Sequence, residues 1–205
     1  MNYAVLPKTQ AIAHTIRALQ KNNFDAELVK NAEAALARVS SLIPKGAEVM
    51  NGSSRTLEEI GFMEYFLSGD HGWKNLRLDI VAENDFKKRA ALRKEATLCD
   101  YFLSSASAIT HSGQIVIASM TGSQMPSIAY SSPAVILVAG VNKIVPDLES
   151  ALERVREYAT PREDKRMKAL GHEGTLLSKI LIIENEPKSS ERKIKIFLIK
   201  DILGA

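Results

Sequence analysis

The side chains of this chain best suited to chemistry are polar or positive rather than acidic. Lys143 follows the apolar run Ala134–Val141, with Asn142 beside it, and the pair has the charge and donors to hold a phosphate or carboxylate. Lys143 also fits a solvated loop, and its side chain is not expected to be buried. Gly52, Ser53, Ser54 and Arg55 form a second group. There a glycine permits close backbone approach, two hydroxyls can donate, and a guanidinium supplies charge ahead of a helix start. The same residues also read as an ordinary helix entry, with Ser53 or Ser54 as the cap and Glu58 in the first turn, and both roles can hold at once. Thr121, Gly122 and Ser123 are a third group, a glycine turn flanked by hydroxyls. Acid–base candidates are fewer. His111 is the only side chain between Asp100 and Lys143 that titrates near neutral pH, although a histidine before Gly113 also fits a surface turn. Glu58 and Glu59 are the nearest acids on another element, and acids at a helix start commonly serve its dipole.

The elements that must position these residues follow from the pattern around them. No Asp, Glu, Lys or Arg occurs between Asp100 and Lys143, in a chain that is 25% charged. Its apolar runs, Ile115–Ala118 and Ala134–Val141, are far shorter than the roughly 18 residues of a membrane span, so they read as strands buried on both faces of a parallel sheet. Strands are expected near Phe24–Leu28, Ala47–Met50, Leu76–Ala82, Tyr101–Ser104, Gln114–Ala118, Ala134–Ala139, Lys179–Ile183 and Ile194–Ile199. Helices are expected around Ile12–Leu19, after the cap Asn31, from about Thr56, over Glu83–Leu98 with Phe86, Ala90 and Ala91 inward, and from Pro146 through Val155. Pro161 ends that last helix or opens the next, and the turn Pro187–Glu191 joins the last two strands. His71 and Trp73 lie in a glycine-bearing loop that can serve as a lid or as a plain surface loop. Three candidate groups, Gly52–Arg55, Thr121–Ser123 and Asn142–Lys143, each follow a predicted strand. In a mostly parallel sheet they gather in one crevice at the strands' carboxyl ends, selective for an anion.

Composition narrows the alternatives. A length of 205 residues with 45% hydrophobic residues and no linker gives one α/β domain, 1–205. The 27 basic and 24 acidic residues are interleaved, as in Arg162–Arg166, which predicts solvated helix faces and no nucleic-acid partner. Cys99 is the only cysteine and reads as packing, which leaves no internal disulfide or cysteine-held cluster. His14, His71, His111 and His172 fall at no metal-ligand spacing, so no metal is expected. Without a signal-peptide pattern, a soluble, cytoplasmic setting is expected.

The stretch Ser107–Val116, the Thr121-Gly122 turn and the run Val135–Val145 together resemble the LUD domain family, including its lactate utilization protein C type. The Gly52–Gly61 turn and the endings Lys179–Glu184 and Lys200–Gly204 add to the match, which covers nearly the whole chain in order. The resemblance implies a Rossmann-like layered domain with a mostly parallel sheet, NagB/RpiA/CoA-transferase-like, with helices on both faces. It implies a ligand loop at Thr110 and the Thr121-Gly122 turn, as in relatives that handle sugar phosphates, folates or acyl-CoA. It also implies a role in lactate utilization beside iron–sulfur or flavin lactate-oxidation proteins, and a homo-oligomer is compatible with it. The chain departs from the family at Ser107, at Ser123-Gln124-Met125, and at Gly171–Leu177, where a cysteine cluster is missing. No glutamate lies in Ser104–Pro126 to act as a CoA-transferase nucleophile. Three functions stay open: a non-redox component of lactate utilization that binds a small anionic ligand, with no covalent or metal cofactor of its own; an isomerase or transferase acting on a phosphorylated sugar or acyl-CoA; and a ligand-sensing module.

Overall fold

Two sheets, stacked and flanked by helices, organise the protein, whose computed structural model describes residues 3–205. The helices are α1 (Thr9–Lys21), α2 (Ala32–Leu42), α3 (Arg55–Glu59), α4 (Phe62–Ser68), α5 (Leu76–Ala82), α6 (Phe86–Glu95), α7 (Leu148–Glu153) and α8 (Thr160–Ala169). The strands are β1 (Asp25–Val29), β2 (Glu48–Asn51), β3 (Lys74–Asn75), β4 (Tyr101–Ser104), β5 (Ala108–Thr110), β6 (Ile115–Ser119), β7 (Ala134–Gly140), β8 (Ile144–Val145), β9 (Lys179–Ile183) and β10 (Lys193–Ile199). Six strands pair in the order β1-β10-β7-β4-β2-β3, all parallel.

Burial on both faces explains why β7 and the second half of β10, Ile196–Ile199, read as continuous apolar runs. Val135, Leu137 and Ala139 of β7, with Ile194, Ile196 and Leu198 of β10, point to one core, where α1 and the second sheet pack. Ile136, Val138, Phe197 and Ile199 point the other way, against α2, α3 and α4. Helices therefore lie on both faces of the parallel sheet, as expected, and on one face a second sheet shares the space.

That second sheet, β8-β5-β6-β9, is a correction to the sequence reading. Ile115–Ala118 was expected in the parallel sheet, but β6 pairs antiparallel with both β5 and β9. An apolar run buried on both faces does not reveal its partners, and here the second burial comes from sheet-on-sheet packing, with α7 beyond. Lys179–Ile183 and Ile194–Ile199 are strands as expected, although they belong to different sheets.

Local corrections have local causes. Leu76–Ala82, expected as a strand, is helix α5: the Asn75 side chain accepts from the Arg77 amide as its cap, and Ile80 is the buried residue. Helix α6 has no buried residue and Phe86 is 75% exposed, so the expected inward face is absent. His71 and Trp73 are packed rather than lid-like: their rings stack at 4.3 Å, and the indole donates to the Ile43 carbonyl at 3.1 Å. Asp147 rather than Pro146 starts α7, its carboxylate accepting from the Ser150 amide, while Pro161 stands in the first turn of α8. Asn31 caps α2 as predicted. Among the described residues no helix is long and apolar enough to cross a membrane.

Candidate functional site

Parallel strands bring their carboxyl ends to one edge of the sheet, and β2, β4 and β7 end beside each other there. A crevice of about 450 Å³ opens at that edge. Its wall takes Gly52–Thr56 from the β2–α3 turn, Ser104–Ser107 from the end of β4, and Lys143 from the tight turn Val141–Lys143 after β7. The second sheet adds Ser119, Thr121, Ser123 and Gln124, and helix α8 adds Glu163 and Met167. Arg77 and Arg93 also line the crevice.

Lys143 is the most unusual residue of this wall. Its side chain is 3% exposed, and Nζ donates to Thr56 Oγ1 at 2.9 Å and Ser105 Oγ at 3.0 Å. Burial, reinforced by the positive charge of Arg154, pulls its pKa down to about 7. Glu59 and Glu163 oppose that shift, yet neither ion-pairs with Lys143 among the described residues. The expectation of a solvated lysine on a loop is therefore overturned, because the strand that carries it is buried and the turn points it inward.

Around Lys143 the backbone passes very close. Gly204 has φ +68°, and a Cβ there would stand 2.7 Å from Lys143 Nζ and closer still to Thr56 Oγ1. Gly52 likewise leaves room for Gln124, whose Oε1 accepts from Ser104 Oγ at 3.0 Å. Ser54 is the helix cap, its Oγ accepting from the Leu57 amide at 3.2 Å. With only five residues behind that cap, α3 adds little dipole, so the positive charge near the turn comes from side chains.

The structure brings together only part of the predicted set. Gly52, Ser53, Ser54, Arg55, Thr121, Ser123 and Lys143 line the crevice, and Gly122 stands just outside it at the tip of its turn, with φ +80°. Arg55 is partly exposed and paired with Glu59 at 2.7 Å. Asn142 does not line the crevice: it is 3% exposed, and its Oδ1 accepts from the Leu203 amide at 3.1 Å. Thr110 does not line it either, its hydroxyl bonding Ser112 and the Gln114 amide inside the β5–β6 turn. His111 leaves the crevice as well. Its amide donates to the Val145 carbonyl, its ring faces His14 at 6.3 Å, and burial with the nearby His14 lowers its pKa. Glu58 points to Arg166 of α8 at 3.0 Å and does not line the crevice.

Sequence reasoning missed Thr56, Ser105, Arg77, Arg93, Glu163 and Gly204. Gly204 had a usable signal, a glycine after Lys200-Asp-Ile-Leu, but nothing local marks what a distant chain end approaches.

The LUD domain family model matches residues 12–199. A solved DUF162 family protein from Deinococcus radiodurans is similar in fold, with a TM-score of 0.57 at 10% identity, covering 95% of this chain and 99% of that one. No curated protein sequence matches significantly.

Proposed function

Because the chain belongs to the LUD domain family, we propose that it is a non-redox component of lactate utilization, working beside iron–sulfur or flavin lactate-oxidation proteins, whose crevice binds a small anionic ligand. One observation supports the ligand reading above the rest. Lys143 is buried at the crevice wall with two hydroxyls as hydrogen-bond partners and no ion pair among the described residues. A buried ammonium without a countercharge costs several kcal/mol, so a phosphate or carboxylate entering the crevice supplies what the protein leaves out. Arg77 and Arg93 line the same space and form no ion pair among the described residues, which adds to its preference for anions. An isomerase or transferase acting on a phosphorylated sugar or acyl-CoA is the second reading, favoured by an amine that titrates near neutrality.

Titration calorimetry with phosphorylated sugars, CoA and lactate is the test, on the wild type and on Lys143→Met and Arg55→Ala. At least one compound binds, and loss of the Lys143 contact weakens it by about 1.5–3 kcal/mol, as for a charged hydrogen bond. Arg55→Ala weakens it less, since Arg55 is partly exposed and already paired. A ligand that binds equally to all three proteins places the site elsewhere.

A further inference from the structure

Lys143 differs from an ordinary buried lysine in what surrounds its nitrogen. A lysine held for stability at this depth is usually ion-paired. Here the partners are two hydroxyls brought from separate elements, Thr56 on α3 and Ser105 after β4, and both line the crevice with the lysine. A hydroxyl accepts from an ammonium and also donates to a neutral amine, so it can pass a proton either way. The backbone behind the nitrogen is fixed by β7, buried along nearly its whole length, and by the glycine at position 204 that packs against it. The amine is thus desolvated and held from two sides, on a residue that lines a cavity of about 450 Å³, large enough for a small substrate.

We propose that Lys143 is an imine-forming lysine, condensing with the carbonyl of a small anionic aldehyde or ketone, such as a 2-oxo acid or a sugar phosphate, held in the crevice. The proposal rests on the reading of the crevice as the ligand site. The Nζ lone pair attacks the carbonyl carbon while the π pair of that bond moves to oxygen. A proton leaves nitrogen for that oxygen, passed by the hydroxyl of Ser105 or Thr56. That oxygen then takes the second proton, the one still on nitrogen, by the same hydroxyl relay. The carbon–oxygen bond breaks, water departs, and the nitrogen lone pair closes the carbon–nitrogen double bond of a neutral imine. No oxidant or reductant is consumed. Arg77 and Arg93 supply positive charge for the carboxylate or phosphate, which leaves the amine free to be neutral. The depressed pKa of Lys143, about 7, keeps much of it in that form near neutral pH.

The full-length wild-type protein is incubated at near-neutral pH with pyruvate or with glyceraldehyde 3-phosphate, then reduced with cyanoborohydride and peptide-mapped by mass spectrometry. An adduct weighing the carbonyl compound less one oxygen atom is expected on Lys143. It should form about tenfold or more faster than on any exposed lysine, whose amine is almost wholly protonated at that pH. The compound that labels better tells a carboxylate site from a phosphate site. In Lys143→Met the preferred adduct disappears; should that variant fail to fold, the wild-type peptide map still decides. Labelling confined to exposed lysines, or no labelling with either compound, overturns the imine. Calorimetry with sulfate separates the two claims: Lys143-dependent sulfate binding without an adduct sinks the imine alone, whereas neither binding nor adduct sinks the crevice reading too.

Discussion

Lys143 and His111 are both basic side chains drawn by burial toward the neutral form, and they follow strands of different sheets, with opposite prospects. Lys143 leaves a parallel strand at the edge where β2, β4 and β7 all end, so its surroundings are loops that have to open somewhere. His111 leaves β5, which turns straight back into β6, and a tight turn satisfies its own groups: Thr110 with Ser112 and Gln114, and the His111 amide with Val145. A shifted pKa therefore does not identify a site in this protein. Strand direction does, because it decides whether a side chain meets a cavity or a turn.

The largest expected effect comes from substituting Lys143. Its pKa lies near 7 when folded and near 10.4 when unfolded, so below pH 7 the folded state holds the charged form at full cost. Between those values the unfolded chain binds more protons, and stability rises with pH. Lys143→Met should stabilise the protein by roughly 2–4 kcal/mol at pH 6, an advantage that fades toward pH 10. Urea unfolding at the two pH values reads it. A variant less stable at both would mean that the hydroxyl contacts outweigh the burial of charge.

Gly204→Ala comes next. It places a Cβ at a positive φ and against the Lys143 nitrogen, and should cost about 1–3 kcal/mol in thermal or urea unfolding while displacing the amine. An unchanged stability would show that the chain end moves aside freely.

Ser54→Ala removes the cap of α3 and should cost about 1 kcal/mol of stability. If anion affinity falls with it by more than tenfold, Ser54 binds as well as caps.

The smallest effect belongs to His111→Ala, which should leave anion affinity in calorimetry within about 0.5 kcal/mol of wild type, as a substitution remote from the ligand does. A larger loss would return His111 to the site and dissolve the contrast with Lys143.

What the sequence revealed was local. Asn31, Ser54 and the β7 run could be read directly, because a cap or a buried strand is written in neighbouring residues. The convergence of Gly52–Arg55 and Lys143 was also legible, since it needs only strand order and direction. Thr121 and Ser123 reach the same crevice from the antiparallel second sheet, which the direction of parallel strands does not foretell. Leu76–Ala82 misled because Leu76, Leu78 and Ile80 alternate like a strand, whereas Asn75 and the i, i+4 spacing of Leu76 and Ile80 decided for a helix. Lys143 was expected to be solvated because its cover comes from far along the chain, with Thr56 and Ser105 on one side and Gly204 on another. The second sheet was hidden for the same reason: β6 carries no mark of whether β5 and β9 or the parallel strands will pair with it.

The most direct test of the account is an NMR titration of protein carrying lysine labelled with carbon-13 at Cε, followed with and without sulfate. The Lys143 resonance should titrate near 7 in the free protein, move upward when sulfate is added, and vanish from the spectrum of Lys143→Met. A Lys143 signal titrating in the ordinary lysine range, unmoved by sulfate, would contradict it.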